Sequence, residues 1–484
     1  MSRHGWWTSI LLLSGSFTAV ASTQAADVEL PACGSVIAPA GCDASNTKTP
    51  PKPNPCATSH KGVFYANDFS YLNDPCYNGH CFGDCLKLMP VADGEWGTFD
   101  IGGQLRTRFH HEEGMGQDLT GPGVNRFQDT DHDIFLTRVR LYGNWKVNDS
   151  LRFYSEGIFA DVTDDDNTYL PRPIDNNFGD FLNLFVDVGL SDSLTARVGR
   201  QELQYGAERL ISPLDWANTR RTFDGARLLY REDGWASDVF YTYFVPVIPN
   251  RLDEPDYNQQ FYGWYNTFTV NEDLAVDAYY IGYNDRRDLP GSDFSIHTCG
   301  MRLHGALTDN WLFEMEGGPQ FGRQSGLGLN QEAAFGTIGL GRKLGDVLPW
   351  TPTLWCYYDY ASGNAGGDDF NRFNDLFPLG HKYFGFIDAA KRQNVEAPNL
   401  LLTMKPHQRL ELLCWYWHIM ANQAGDIIPS IGGTPPQSTT SKDFGDELDL
   451  YAKYSIGPRS NVLIGYSHFW RGNKILAPAD ADFT

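Results

Sequence analysis

The sequence lacks the long apolar runs with which helices cross a membrane. After residue 25 it has no stretch of about 18 or more consecutive apolar residues, which excludes a helical membrane protein. Residues 1–25 differ, because Arg3, the apolar or small residues 6–21 and the segment Thr23-Gln24-Ala25 are typical of a cleaved secretory signal. We therefore predict an exported protein and leave residues 1–25 out of the fold.

Two further absences disfavour whole classes of function. Basic residues are too few to balance the acidic ones, and the formal net charge of −22 disfavours nucleic acid as a partner. Enzyme motifs are missing too: there is no G-x-S-x-G elbow, no H-E-x-x-H helix and no phosphate-binding glycine loop. We therefore do not expect an enzyme, and a barrel hydrolase or lyase with loop carboxylates is the remaining catalytic alternative.

Cysteine is rare beyond residue 85, where Cys299, Cys356 and Cys414 are expected to be isolated small hydrophobic residues. The other six lie close together after the signal: Cys33, Cys42, Cys56, Cys76, Cys81 and Cys85. In an exported chain this pattern favours disulfides, although the sequence leaves their pairing open. Zinc is the rival interpretation, with His80 beside Cys81, but paired C-x2-C knuckles are absent and we expect no metal site.

Residues 26–95 are predicted to form a segment of their own. The stretch 48–55 has the sequence KTPPKPNP, a stiff extended linker, and the surrounding cysteines indicate a small, loop-rich, cross-linked segment. This segment would lie either in the periplasm or inside the barrel predicted below. It would act as an inert spacer, as a plug or as a docking element for a partner.

Residues 96–484 alternate tight turns with long polar loops between short two-faced β-segments. The tight connections are 148–150, 191–193, 232–234, 271–273, 308–310, 345–349, 405–409 and 457–460. The long connections include 112–132, 163–180, 203–222, 361–396 and 421–446. Outer-membrane barrels sort their loops in this way, because every strand crosses the membrane and must return. We predict an all-β fold: a transmembrane antiparallel up-and-down β-barrel in the outer membrane, in contact with lipid.

The predicted strands have one apolar and one polar face. In the first, Leu105 and Phe109 alternate with Arg106 and Arg108, and later strands repeat the pattern. Alternation by itself indicates only a half-buried sheet. Four tryptophans close to tight turns favour a membrane, where an interfacial girdle needs them: Trp145, Trp235, Trp311 and Trp350.

About seventeen such segments precede Trp470, and the residues 480–484 resemble the opening of an eighteenth strand. A closed antiparallel barrel with both ends on the periplasmic side needs an even number of strands. We therefore expect about 18 strands with the last one incomplete. The alternatives are a count that is off by one and closure through the N-terminal segment.

Arginine is the residue that marks the inward face. The arginines concerned are Arg106, Arg108, Arg138, Arg140, Arg152, Arg197 and Arg227. Because a guanidinium is always charged and binds carboxylates through two parallel hydrogen bonds, such a ladder suits the passage of a carboxylate polymer. The alternative is a structural network in which the arginines pair with lumen acids such as Asp100, Glu156 and Asp187.

Two long segments resemble the alginate export family of outer-membrane proteins. In 197–227, RVGRQELQYGAERLISPLDWANTRRTFDGAR, the matching residues are Gly199, Arg200, Gln201, Tyr205, Gly206, Arg209, Leu210, Trp216, Asn218, Phe223, Asp224, Gly225 and Arg227. In 369–388, DFNRFNDLFPLGHKYFGFID, the Phe-Asn-x-Leu-Phe-Pro, His-x-Tyr-x-Gly and Asp elements match. The resemblance covers about residues 96–484 and leaves out the cysteine-rich segment.

This resemblance implies a monomeric 18-stranded barrel that passes a polyuronate such as alginate through an electropositive pore, fed by a periplasmic export partner. It adds Arg200, Gln201, Arg209 and Asp224 to the expected pore-lining residues. Alternation from Arg227 places Asp224 on the opposite face, towards lipid, unless a bulge or loop intervenes. The alternative functions are uptake of small anions or acidic oligosaccharides, and a structural or adhesive surface barrel.

Two acidic loops are candidate calcium sites, and we expect no other cofactor. The residues are Asp129, Asp131 and Asp133 in one loop, and Asp161, Asp164, Asp165 and Asp166 in the other. Carboxylate oxygens suit calcium, but the glycine and the distal glutamate of a helical calcium loop are missing, which favours solvated loop charge instead.

Overall fold

The structure, a computed structural model, describes residues 55–75, 77, 81–116, 126–128, 130–164, 169 and 171–484. Several predictions fall outside these residues. They concern the signal sequence 1–25, the linker before Pro55, Cys33, Cys42, Cys76, His80, Asp129, Asp165 and Asp166.

Eighteen antiparallel strands pair in sequence order and close into a barrel, as predicted. They are β2 (Thr98–Glu113), β3 (His132–Asn148), β4 (Leu151–Asp164), β5 (Asn177–Gly189), β6 (Leu194–Gln201), β7 (Thr222–Glu232), β8 (Trp235–Val245), β9 (Gln259–Asn271), β10 (Leu274–Asp285), β11 (Phe294–Ala306), β12 (Trp311–Gln324), β13 (Leu329–Lys343), β14 (Thr353–Ala361), β16 (Val395–His407), β17 (Leu410–Ala421), β18 (Asp443–Gly457), β19 (Ser460–Arg471) and β20 (Ala481–Phe483). Two more strands, β1 (Met89–Pro90) and β15 (Asp369–Phe370), add short pairings to β2 and β13.

Helix is confined to short turns. The one α-helix, among the described residues, is α1 (Pro55–Thr58), and the 3-10 helices span Phe64–Ala66, Ser70–Asn73, Asp84–Leu86, Ala92–Gly94, Ser325–Leu327 and Gly380–Lys382. Within the same residues, no helix has the length and apolar content needed to span a bilayer.

The last three-residue strand closes the barrel. β20 pairs with β19 through Ser467↔Phe483 and with β2 through Glu112↔Phe483. Next to it, His111 and Thr484 exchange two backbone hydrogen bonds of 2.9 Å. The prediction that an eighteenth strand opens within residues 480–484 is therefore confirmed.

Loop length follows the predicted alternation. All eight predicted tight connections join strands at one rim, which the barrel rule assigns to the periplasm. The opposite rim carries the longer connections, with one exception: β12 and β13 are joined by only 325–328. The four tryptophans expected near the periplasmic interface all lie at or beside these tight connections.

The two faces of the strands are as predicted. Leu105 and Leu141 point outwards with exposed fractions of 70% and 63%, whereas Arg138 and Glu156 point inwards and are fully buried. Leu182 departs from the alternation of β5, because it is buried whereas Leu184 is exposed. The reason is a bulge in β5, where Glu156 pairs with Asn183 and the next residue, Gly157, pairs with Phe181, so that Leu182 is skipped.

The lumen is filled from both ends. Connections 202–221 and 362–394 fold inwards from the outer rim and bury Leu203, Phe373 and Phe384 in the main apolar cluster. At the periplasmic end, Phe64 and Tyr65 of the N-terminal segment pack against a small buried cluster of aromatic residues on β3, β4 and β5. Residues 64 and 65 of the segment therefore lie inside the barrel, which was one of the two predicted locations.

The cysteines follow the predicted division. Cys56 and Cys81 form a disulfide, and Cys85 is disulfide-bonded as well. Cys299, Cys356 and Cys414 are free and lie on β11, β14 and β17. The disulfide prediction is thus confirmed for Cys56, Cys81 and Cys85.

A charge on the lipid face tests this orientation. Leu141 lies near the middle of β3 on the outer face, so Leu141→Arg is expected to lower the free energy of unfolding by about 2–4 kcal/mol, the cost of an arginine at the bilayer midplane. Denaturant titration in phospholipid vesicles measures this. The control is Leu289→Arg, in the exposed connection between β10 and β11, which should change stability little. Equal effects of both variants would contradict the orientation.

Candidate functional site

The candidate site lies in the lumen, into which seven strand arginines project. Arg106 and Arg108 lie on β2 and face Arg138 and Arg140 on β3, because the two strands pair Arg106↔Arg138 and Gln104↔Arg140. Arg152, Arg197 and Arg227 continue the row on β4, β6 and β7. The alternation of these strands thus concentrates positive charge along one wall of the barrel.

The inward loop 202–221 supplies counter-charges to the first arginines. Arg138 donates from Nη2 to Asp215 Oδ1 at 2.9 Å, and Arg220 forms a second ion pair with the same carboxylate. Arg106 donates to the backbone carbonyls of Asp215 and Ala217 at 2.7 and 2.6 Å. Burial by itself would raise the pKa of Asp215, but Arg220, Arg138 and Arg106 hold it well below its usual range.

A second network lies nearer the periplasm. Arg140 pairs with Glu156 at 2.6 Å and lies 3.8 Å from Glu202, which also pairs with Arg220. All four side chains are at most 1% exposed. Since an unpaired buried charge is costly, each member of this network depends on the others.

Arg152 and Arg197 share one carboxylate. Both bind Asp187, at 2.6 and 2.7 Å. Of the three acids expected as arginine partners, Glu156 and Asp187 take that role. Asp100 instead accepts hydrogen bonds from Asn144 Nδ2 and from the backbone N–H of Leu88, both at 2.7 Å.

Arg108 differs from the other lumen arginines. Its Nε and Nη1 atoms are buried and have no hydrogen-bond partner, and no carboxylate pairs with it among the described residues. Its guanidinium lies 4.4 Å from the ring centre of Trp216, which stacks on His381 at 3.5 Å. Arg108 therefore presents an uncompensated charge and free N–H donors beside an aromatic platform.

The two segments that resemble the alginate export family meet inside the lumen. Ser212 N donates to the Phe377 carbonyl at 2.9 Å, and Phe377 N donates to the Leu210 carbonyl at 3.0 Å. A side chain at Gly385 would place its Cβ 2.0 Å from the Glu447 carboxyl carbon, so only glycine fits there. The two segments thus form one constriction, anchored to each other and to the wall.

Two more predicted site residues, Arg209 and Gln201, line the lumen, and like Arg227 they have structural partners. Arg209 pairs with Glu314 and Glu316 at 2.7 and 2.8 Å, and Arg227 pairs with Asp238 at 2.6 Å. Gln201 is fully buried and donates to the backbone carbonyls of its own strand and of β7.

Arg200 and Asp224 are not in the lumen, and their expected place as pore-lining residues is corrected. Strands β6 and β7 are described throughout, and they pair continuously from Leu194↔Tyr230 to Gln201↔Phe223 without a register shift. Arg200 and Asp224 therefore share the outer face with Val198, which is 61% exposed. No bulge turns Asp224 inwards, so simple alternation predicted its side correctly.

On that outer face the two residues form a closed ion cluster. Arg200 pairs with Asp224 at 2.8 Å and with Asp180 at 3.2 Å, and it donates to the Asp253 carbonyl at 2.9 Å. Asp253 belongs to the connection between β8 and β9, which thereby folds down over the outer wall. Next to Arg200, Gly199 has a φ of 128°, and a Cβ there would lie 2.2 Å from the Leu184 carbonyl oxygen, so glycine suits the close pairing of β6 with β5.

Several central residues were not predicted. Asp215, Glu202 and Arg220 connect the arginine networks, and Glu314 and Glu316 hold Arg209. Asp215, Glu202 and Arg220 lie inside the segment that resembles the family, which was the one signal that indicated them, because an irregular loop has no periodicity. Glu314 and Glu316 lie on β12, where alternation gives their side of the sheet but not the loop arginine that they bind.

The candidate calcium loops are only partly described. Asp133 pairs with His111 at 2.6 Å, and Asp131 accepts a hydrogen bond from Gly114 N at 3.3 Å. Across the part of the chain that the structure describes, no group of three or more His, Cys, Asp or Glu side chains is arranged to hold a metal ion.

Comparison with known proteins places this barrel among outer-membrane proteins. A family model described as alginate export matches residues 98–483. No curated protein sequence matches the chain. The fold is similar to Pseudomonas aeruginosa OpdK, solved with vanillate (11% identity, TM-score 0.53, 79% of this chain and 96% of that one). It is also similar to a BenF-like porin from Pseudomonas fluorescens Pf-5 (12% identity, TM-score 0.53, 80% and 96%). At these identities the similarity to solved structures shows the fold alone.

The outer ion cluster predicts a pH-dependent loop. Burial and the neighbouring Asp180 raise the pKa of Asp253 to about 6, above its value in an undocked loop. The docked loop therefore binds the proton more tightly, and docking should strengthen as pH falls from above 6 towards 4. Hydrogen exchange at 246–258, corrected for intrinsic rates, should show greater protection at pH 5 than at pH 7.5.

Asp253→Asn should remove that difference, because the side chain no longer titrates. The matched control is Asp288→Asn, at an exposed aspartate of the connection between β10 and β11, and it should leave the difference unchanged. Equal protection of 246–258 in the unmodified protein at both pH values would contradict the role given to Asp253.

Proposed function

The chain belongs to the alginate export family and is an outer-membrane channel, and we propose that it passes an anionic polysaccharide, a polyuronate such as alginate, along its arginine-rich lumen. The proposed direction is export, with a periplasmic partner that feeds the polymer in. The barrel would work as a monomer, without nucleic acid and without a resident cofactor.

One observation carries the proposal: Arg108 has free, buried N–H donors and no carboxylate partner among the described residues. A buried guanidinium without a counter-ion is unfavourable, and an arriving carboxylate would relieve that cost. Arg106 lies on the same face and donates to backbone carbonyls rather than to an acid. Its charge is therefore not neutralised by an ion pair either. A uronate polymer brings one carboxylate per sugar and can therefore use both.

The paired arginines provide the rest of the path. Arg138, Arg140, Arg152 and Arg197 already bind protein carboxylates, so a substrate carboxylate replaces one partner by another of the same chemistry. Such exchange keeps each site weak, which repeated conduction requires.

Connections 202–221 and 362–394 fill the outer half of the lumen and act as the gates in this proposal. Their mutual hydrogen bonds through Phe377 hold the constriction closed until the polymer enters. The same filling favours a second candidate function, uptake of small anions or acidic oligosaccharides, which need less room. A structural or adhesive barrel is the third, and it requires no conduction at all.

Block of ionic current by uronate oligomers tests the proposal. In planar bilayers, mannuronate and guluronate oligomers should block the channel, and Arg108→Gln should weaken the block by about tenfold or more. A hydrogen bond to a charged group is worth about 1.5–3 kcal/mol, and about 1.4 kcal/mol is tenfold in affinity. The matched control is Arg323→Gln, whose side chain lies exposed on the outer face of β12 and should leave the block unchanged.

Three outcomes distinguish the candidates. Block by small carboxylates but not by uronate oligomers would favour uptake of small anions. Equal weakening by Arg108→Gln and Arg323→Gln would remove Arg108 from the path. A barrel that is folded but carries no current would favour the structural role.

A further inference from the structure

We propose that the cysteine-linked N-terminal segment is a resident plug of the periplasmic mouth, and that its Phe64-Tyr65 tip occupies the inner arginine cluster. The inner arginine cluster consists of Arg140, Arg152 and Arg197. The inference concerns closure of the pore to small ions and holds whichever anion is the physiological substrate. Displacement of the tip is the opening step.

The tip lies within the barrel wall, a few residues inside the periplasmic rim. It packs against Tyr142, Tyr154 and Phe185, which lie near the tight-turn ends of β3, β4 and β5. The ring centre of Phe64 is 5.6 Å from that of Tyr142, and the ring centre of Tyr65 is 5.4 Å from that of Phe185. These contacts place two bulky side chains across the path of any ion that enters from the periplasm.

The tip contacts all three arginines of the inner cluster. The Arg140 guanidinium lies 3.8 Å from the ring centre of Phe64, and the Arg197 guanidinium lies 4.5 Å from that of Tyr65. Arg152 donates from Nη1 to the Tyr65 carbonyl at 3.0 Å. Aromatic faces and a carbonyl oxygen are neutral partners for cationic groups. The tip thus occupies an anion-attracting surface without bringing an anion to it.

A neutral occupant can be displaced by a charged one. Hydrogen bonds between a guanidinium and a carboxylate are roughly twice as strong as neutral ones. An anion that reaches the inner arginine cluster therefore competes favourably with the tip for the same donors. The closed state is therefore stable when no anion is present, and it is destabilised when an anion binds the inner arginine cluster.

The tip also touches the outer gate. The Tyr65 hydroxyl donates to the Glu202 carbonyl at 2.7 Å, and Arg220 donates from Nη2 to the Gly62 carbonyl at 3.3 Å. Both partners belong to the start and end of the inward loop 202–221. Withdrawal of the tip therefore removes support from the outer gate, which couples the two ends of the channel.

Two anchors keep the segment at the rim when the tip moves. The Cys56–Cys81 disulfide closes a loop around the tip. Beyond that loop, Lys87 donates to the Tyr142 hydroxyl at 2.9 Å, and Arg459, in a periplasmic turn, donates to the Phe82 carbonyl at 2.6 Å. The contacts with the barrel thus lie on the C-terminal side of the tip, and the disulfide links the N-terminal side to them, so that the plug returns to its place once the lumen is empty.

The test is the current carried by potassium chloride through single channels of the full-length protein in planar bilayers. The double variant Phe64→Ala/Tyr65→Ala removes both rings and should raise the conductance or the open fraction several-fold. The matched control is Phe82→Ala, which removes a ring of the same segment that is 92% exposed and keeps the main-chain carbonyl that Arg459 binds, and it should behave like the unmodified protein. A double variant that conducts no more than the unmodified protein overturns the proposal.

A second variant keeps the proposal testable if the double variant does not fold. Heat-modifiable migration on gels reports whether the barrel is folded, and a double variant that fails this check is replaced by Cys56→Ser/Cys81→Ser. Without the disulfide the loop around the tip is less constrained, so the open fraction should rise. Reduction of the unmodified protein from the periplasmic side should have the same effect. An unchanged open fraction in both experiments overturns the proposal.

Discussion

The structure depends on one constraint: guanidinium groups that project into a closed barrel must find partners. Six strand arginines bind carboxylates or carbonyls, and several of those partners come from outside the neighbouring strands. Asp215 and Glu202 belong to a loop that leaves the outer rim and folds into the lumen, where it meets Arg138 and Arg140. The charge on the wall thus helps to hold this loop in the lumen, since removing one partner of a buried ion pair costs about 3–5 kcal/mol.

The same constraint connects the proposed function with the proposed plug. A lumen in which every arginine had a carboxylate would be a rigid structural core. Here Arg108 has no carboxylate partner in the described part of the chain. The inner arginine cluster contacts the neutral rings of Phe64 and Tyr65 in addition to its carboxylate partners. In the two proposals, each place would bind an anion, one at each end of the lumen, and each is closed by an element that the anion would displace.

The sequence predicted the barrel well because its signals are periodic. Alternation placed Leu141 outside and Arg138 inside, and the alternation of loop lengths gave the two rims. The expected count of about eighteen came from seventeen visible segments and the even number that closure requires. Contacts made by irregular loops were not predictable, since neither Asp215 nor Trp216 obeys a period. Arg200 and Asp224 are instructive: alternation already placed Asp224 outside, and the assignment of both residues to the pore, taken from the resemblance, was wrong.

The central claim is that the lumen conducts anions because its arginines are not fully neutralised. The most direct measurement is the reversal potential of the unmodified channel under a potassium chloride gradient in a planar bilayer. The account predicts a reversal potential near the equilibrium value for chloride. A value near the potassium equilibrium potential would mean that the acidic partners, and not the arginines, determine which ions pass, and it would contradict the account.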